Sequence, residues 1–389
     1  MKLDPYKHKE RYLKWKEESK KGIEGLSDYN FQLLNRYVSD MERGLNVASG
    51  NIKGPRGFSR LNTIKDRFLV VCKNFKELYN LDKITDISED QLIGFFADMK
   101  SGVIKTRYGA AFKSTETLSR IFKAFWHWWT KVNKRQGIEI KDITVDLDTR
   151  QEKPDWVYLT EDQIKKLCEN AKYDYRVLIM FLFDTGIRSP TELMNVRVSD
   201  LFNDFKELNI REETSKTFGR RIKLMLCSSL IKDYIKLKEL IPEDYLFKIS
   251  PGLANQYLKR LAEKVLGNRE SPAGAKYSEL TMYDFRHCSC CYWLPRYKSE
   301  SALKYRFGWK STDKIHYYSE LLGMKDTISE EDLLMDVTKT EIEQRLSKSE
   351  KEKEIMQERL DSMELEMAKI KEVTDQLHME VIVKNGRGN

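Results

Sequence analysis

The sequence predicts a mainly α-helical protein with one small antiparallel β-sheet. It divides into an all-helical first domain, an α+β second domain and a coiled-coil tail. Three observations predict this. Only 8 prolines and 19 glycines occur in 389 residues, so few helices need be interrupted. Apolar residues recur at three-to-four spacing over long stretches, while two short stretches, 208–211 and 221–227, alternate as strands do. From Ile342 onward a heptad repeat continues almost to the end.

Residues 1–27 form a highly charged arm with scattered aromatics, either a short helix or a flexible segment. Residues 28–134 read as a compact helical domain, with its clearest helices over 63–79, 88–99 and 114–132. Ser88 and Ser114 stand where an N-cap oxygen is wanted, and Gln91 completes a capping box with Ser88. Residues 135–156 lack sustained periodicity and mix charges with Gly137 and Pro154, which reads as a linker. The second domain, 157–325, opens on a capping box made by Thr160 and Gln163. A buried helix over 173–183 follows, then the two strands with Lys216 in the turn between them. Helices resume over 228–240, 252–266, 283–294 and 299–307. In the tail, 335–383, one core position takes Leu346, Lys353, Leu360, Met367, Thr374 and Val381. The other takes Ile342, Ser349, Met356, Met363, Ile370 and Leu377. Lys353, Ser349 and Thr374 break the apolar seam and are placed to set register or oligomer state.

A third of the chain is charged and the net charge is +8, which suits a polyanionic partner and also simple solubility. The six cysteines form no disulfide framework. The amino terminus has no apolar core, and the longest apolar run, 177–183, is too short to span a bilayer. The expectation is a cytoplasmic, reduced protein with no membrane partner. Neither a phosphate-binding Gly-rich loop nor a carboxylate cluster is present in the sequence, so no cofactor and no metal are expected.

Three segments of the second domain carry candidate chemistry. In Asp184-Thr185-Gly186-Ile187-Arg188-Ser189-Pro190-Thr191-Glu192-Leu193, an apolar helix ends at a glycine turn and presents an arginine. Another helix is expected behind Ser189-Pro190. Thr281-Met282-Tyr283-Asp284-Phe285-Arg286-His287 begins a helix with an Arg-His pair. Phe307-Gly308-Trp309-Lys310-Ser311 is followed by Tyr317-Tyr318. Taken singly, each also reads as an ordinary corner, helix start or aromatic edge.

Their joint order resembles the tyrosine recombinase, or phage-type integrase, family over about residues 159–322. That family places an arginine turn ending in a glutamate–leucine pair before a β-turn lysine. An Arg-His helix follows, then a Gly-His or Gly-Trp corner, with a nucleophilic tyrosine about ten positions after the glycine. Gly308 and Tyr318 have that spacing, and Lys216 precedes Arg221 and its apolar strand as the family's lysine does. The helix over 114–132, with Phe125-Trp126-His127-Trp128-Trp129, looks like the last helix of the family's core-binding domain. The sequence departs from the pattern at Tyr283, where a His or Lys is usual. It also has an extra residue between Arg188 and Glu192, and Trp309 in place of histidine.

The resemblance implies a site-specific recombinase, in the setting of a mobile-element integrase, archaeal or viral. Tyr318 would attack a DNA phosphate and form a 3′-phosphotyrosyl link, needing neither ATP nor metal. Arg188 and Arg286 would hold the nonbridging oxygens, because guanidinium offers fixed, permanently charged donors. His287 would take the tyrosine proton, Lys216 would protonate the leaving 5′-oxygen, and Trp309 would offer an indole N–H. Glu192 would orient Arg188, and Tyr283 would be an uncharged phosphate donor. Tyr317 is the rival nucleophile. Cys288-Ser289-Cys290-Cys291 lacks a second ligand pair for zinc and reads as small buried residues. Candidate DNA-backbone contacts on the first domain are Lys65, Arg67, Lys113, Arg120 and Lys123. The implied partners are a double-stranded recombination site and further copies of the chain, as a tetramer on paired sites. The alternatives are a type IB topoisomerase or a catalytically silent DNA-binding protein of the same fold.

Overall fold

The computed structural model describes residues 3–45, 54–106, 108–112, 114–150, 154–297 and 299–321. It also describes Ser349, Lys353, Met356, Gln357, Met363 and Met367, each helical and exposed. Most of the expected coiled coil therefore lies outside the described residues. The chain divides into two compact units, Met1–Tyr318 and Ser319–Asn389.

The first unit opens with α1 (His8–Glu18), so the charged arm is a helix rather than a loose segment. Its single fully buried side chain, Tyr12, anchors it in the helical core. Next come α2 (Asp28–Glu42), α3 (Phe58–Tyr79), α4 (Glu89–Ser101) and α5 (Thr115–Lys134). Ser88 and Gln91 make the expected capping box on α4, but the Ser114 side chain makes no cap bond on α5. The core is aromatic: Phe68 meets Phe125 edge-on at 5.1 Å, and Phe75 meets Phe95 likewise at 5.1 Å. Trp126 and Trp128 are buried with their indole N–H groups bonded to Lys141 O (3.0 Å) and Asp40 Oδ2 (2.9 Å). They are core side chains.

The segment expected to be a linker packs along α5. Ile143 and Leu147 join the aromatic core, and Lys123 Nζ donates to Thr144 O at 2.8 Å. Its short apolar set, spaced three to four residues apart without helix, carries too little periodicity to be read as an element.

The remainder of this unit contains α6 (Glu161–Asn170), α7 (Tyr173–Thr185), β1 (Leu201–Phe202), β2 (Glu207–Ile210) and β3 (Arg220–Lys223). Then come α8 (Ser228–Leu237), α9 (Pro251–Leu266), α10 (Asp284–Trp293) and α11 (Glu300–Phe307). Helix α12 follows, over Asp313–Leu321. The strands form one antiparallel sheet in the order β1-β2-β3, with Leu208 opposite Ile222. β1 is two residues long, below the reach of an alternation test. The strand expected to reach residue 227 stops at Lys223. Beyond it, Leu226 N and Cys227 N turn to donate to Asp184 Oδ2 at 2.7 and 3.0 Å. Nor does an α-helix follow Ser189-Pro190: there is one tight turn ending in a 3-10 segment, Leu193–Asn195. Val196 then adopts extended geometry and accepts from Leu246 N at 2.8 Å, which ends the turn.

Candidate active site

The site grows from the end of α7. This apolar helix stops at Gly186, whose φ of +56° suits glycine, and where an added Cβ would meet the Phe307 ring. Released from the helix, the chain presents Arg188. Arg188 Nη1 donates to Glu192 Oε1 at 2.7 Å and Nη2 donates to Gly308 O at 2.6 Å. Glu192 Oε2 accepts from the Arg188 backbone N–H at 3.1 Å, so the turn is closed by its own carboxylate. This accommodates the extra residue between the two.

Arg286 reaches the same corner from α10. Its Nη1 donates to Gly186 O at 2.5 Å and its Nη2 to Phe307 O at 2.6 Å. The two guanidiniums thus hold successive carbonyls, Phe307 and Gly308. Each has five N–H donors and, among the described residues, commits two, leaving three. Burial, together with the charges of Arg188 and Arg220, pushes the Arg286 guanidinium down to about 10.

One turn of α10 beyond the start, His287 Nδ1 lies 2.5 Å from the Tyr318 hydroxyl. Trp156 stacks obliquely on the imidazole at 4.7 Å, and Tyr283 meets it edge-on at 5.2 Å. Tyr283 itself is exposed. The Tyr318 ring lies parallel to Trp309 at 5.9 Å, and Trp309 in turn stacks on Phe307 at 5.0 Å. Tyr318 is 4 % exposed, and burial holds its phenol well above the ordinary range, with Cys290 adding to the shift and Arg286 opposing it. Its neighbour differs: the Tyr317 hydroxyl accepts from Trp156 Nε1 at 2.7 Å. The adjacent tyrosines therefore have distinct partners in these bonds, Tyr318 meeting His287 and Tyr317 meeting Trp156. Lys216 sits in the β2–β3 connection with its side chain exposed.

Two buried arginines that sequence reasoning missed complete the frame. Arg220, on β3, donates to Glu192 Oε2 at 2.8 Å and to Arg306 O at 2.9 Å. Burial alone would raise the Glu192 carboxyl, but Arg220, and then Arg188, hold it down at about 2. Arg306, on α11, pairs with Asp184 at 2.9 Å and lies over the Trp293 ring. A signal for Arg220 was present: it shares the inward side of β3 with Ile222, whereas Arg221 and Lys223 face out. Arg306 offers no such mark, because α11 has only two turns.

The candidate DNA contacts fare unevenly. Lys65 is a correction: its ammonium is buried against the Trp15 ring at 5.3 Å and bonded to Asp66. Lys123 is half-buried and donates to backbone carbonyls of the strap along α5. Arg120 is exposed, with Nε bonded to Thr149 O at 2.9 Å, and Arg67 is half-buried. Lys113 lies outside the described residues. Cys288, Cys290 and Cys291 are all buried free thiols, raised by burial well above the ordinary thiol range or, for Cys291, to about 12. Such thiols pack as small apolar groups.

A mainly helical domain with a small three-stranded antiparallel sheet is the fold of a tyrosine recombinase catalytic domain. Residues 157–323 match the model of the phage integrase family. The fold is similar to that of the Tn1549 transposon integrase in complex with a circular intermediate DNA. That match has 14 % identity and a TM-score of 0.52, covering 74 % of this chain and 93 % of the other. It is similar also to lambda integrase bound to a COC′ core site, at 14 % identity and TM-score 0.55, covering 76 % and 96 %. XerH recombinase bound to its difH substrate matches at 16 % identity and TM-score 0.51, covering 68 % and 77 %. No curated protein matches the sequence.

Proposed function

We propose that this protein is a site-specific DNA recombinase that cuts and rejoins duplex DNA through a 3′-phosphotyrosyl intermediate, with Tyr318 as nucleophile. The observation that carries the reading is the 2.5 Å contact between Tyr318 and His287, beside the corner held by Arg188 and Arg286. A scissile phosphate at that corner would take the uncommitted N–H groups of both arginines on its nonbridging oxygens. Preorganised charge of this kind is the chief source of rate in phosphoryl transfer. The buried phenol is neutral at physiological pH, so it needs a base. With Nδ1 unprotonated, His287 accepts the proton as the Tyr318 O–P bond forms. The P–O5′ bond breaks, and the Lys216 ammonium gives its proton to the departing oxygen. Trp309 stacks on the attacking ring and orients it, and Glu192 holds Arg188. The phosphotyrosyl bond retains the energy of the phosphodiester, so rejoining is the reverse attack by a 5′-hydroxyl.

Similarity to integrases in DNA complexes, among them a lambda integrase tetramer bound to a Holliday junction, supports a double-stranded recombination site as substrate. It also supports assembly of several protomers, to which the heptad tail would contribute. The net charge of +8 agrees with a DNA partner. Arg67, Arg120 and Lys113 remain the candidate backbone contacts of the helical domain.

The test is trapping on a nicked suicide duplex carrying the protein's own attachment sequence. Wild type is expected to form an SDS-stable adduct and Tyr318→Phe none, with Tyr317→Phe still reactive. An adduct from Tyr318→Phe moves the nucleophile to Tyr317; no adduct from wild type refutes the enzymatic reading.

A further inference from the structure

The residues on either side of Lys216 are both hydrogen-bonded to the arginine corner. Ser215 Oγ donates to Glu192 Oε1 at 3.1 Å, the oxygen that also accepts from Arg188 Nη1. Thr217 Oγ1 donates to Gly308 O at 2.8 Å, the carbonyl that also accepts from Arg188 Nη2. Ser215 Oγ further accepts from Thr217 N at 3.3 Å, which closes the pair into one unit. Between these anchors the Lys216 side chain is exposed. Free to rotate, an exposed lysine has about 2 kcal/mol of rotamer entropy to lose before it can act at one atom.

We propose that Ser215 and Thr217 are positioning residues that set the Lys216 ammonium at the leaving 5′-oxygen of the strand gripped by Arg188. This rests on the recombinase reading above. Both hydroxyls end on acceptors that also fix Arg188, so the proton donor and the phosphate clamp share one frame. A shift of the frame carries both together, and their separation is conserved. Loss of either hydroxyl releases Lys216 alone. A general acid must come within hydrogen-bond reach of the atom it protonates, and misplacement by about 1 Å can cost on the order of 100-fold.

The experiment compares single-turnover cleavage of two duplexes by the full-length protein. One has the normal 5′-oxygen at the scissile phosphate and the other has a bridging 5′-sulfur there. With sulfur, the Tyr318 O–P bond forms, the P–S bond breaks, and the thiolate leaves with its electron pair and needs no proton. Ser215→Ala and Thr217→Val are expected to slow the oxygen substrate by roughly 10- to 100-fold, yet cleave the sulfur substrate within about threefold of wild type. Lys216→Ala is the reference and should show the same pattern more strongly, while Thr217→Ser should recover most of the rate that valine loses. Equal losses on both substrates for the two hydroxyl variants would overturn the proposal and make them structural. If sulfur does not rescue Lys216→Ala, Lys216 is not the acid and the proposal falls with that assignment. If Lys216→Ala is rescued and the hydroxyl variants are not, the acid assignment stands and the positioning role alone fails.

Discussion

Glu192 shows how much one side chain can hold together. Its carboxylate is 1 % exposed and lies between Arg188 and Arg220, with Ser215 as a further donor. Removing a charge from water is costly, and here two guanidiniums offset that cost. The carboxyl is held at about 2, below its ordinary 4.5. A folded-state value below the unfolded one contributes stability that is complete above about pH 5 and disappears as pH falls towards 2. Glu192→Gln leaves Arg220 buried without a counter-charge, which should cost about 3 kcal/mol near neutrality. Urea denaturation of both proteins from pH 6 to pH 2 checks this. The difference should shrink on acidification, and a constant gap would show that the carboxylate's charge is not what stabilises the fold.

At the scale of elements, two serines that look alike in sequence behave differently. Ser88 accepts from Gln91 N at 3.2 Å, and Gln91 Oε1 accepts from Ser88 N at 3.0 Å. Ser114 precedes a longer helix but has φ −144° and ψ 50°, and its side chain caps nothing. The difference was legible, since the third residue after Ser114 is Thr117, which cannot reach back as a glutamine does. Ser88→Ala should therefore lower stability by about 1 kcal/mol, whereas Ser114→Ala should stay within about 0.5 kcal/mol of wild type. Thermal melts of the two variants side by side decide it, and equal shifts would contradict the capping assignment.

At the scale of the molecule, the amino-terminal segment joins regions far apart in the chain. Leu3 N donates to Asn195 Oδ1 at 2.7 Å and Leu3 O accepts from Asn195 Nδ2 at 2.9 Å, across 192 residues. Asp4 then accepts from His8 N at 2.6 Å and starts α1, whose Tyr12 sits in the helical core. Asn195 lies three residues beyond Glu192, so this pairing ties the first helix to the back of the arginine turn. Asn195→Ala removes both partners of Leu3 at once. Hydrogen exchange of the amino-terminal peptide should then be markedly faster, while peptides of α3 and α5 keep their protection. An unchanged rate at Leu3 would mean the pairing does not persist in solution.

Local pattern by itself determined most of the helices, two of the three strands, and the order Arg188, Lys216, Arg286, His287, Gly308, Trp309, Tyr318. Helix periodicity, capping boxes and the glycine turns act over a few residues, and the catalytic resemblance is a matter of spacing along the chain. What only the tertiary structure decided is the choice of partners. Arg220 meets Glu192 across 28 residues, Arg306 meets Asp184 across 122, and Thr217 meets Gly308 across 91. Lys65, read as a surface charge, is covered because α1 brings Trp15 over it. A buried charge is tolerated only where a counter-charge or carbonyl has been brought to it. That depends on which helices and strands pack together, and no stretch of sequence read locally contains it.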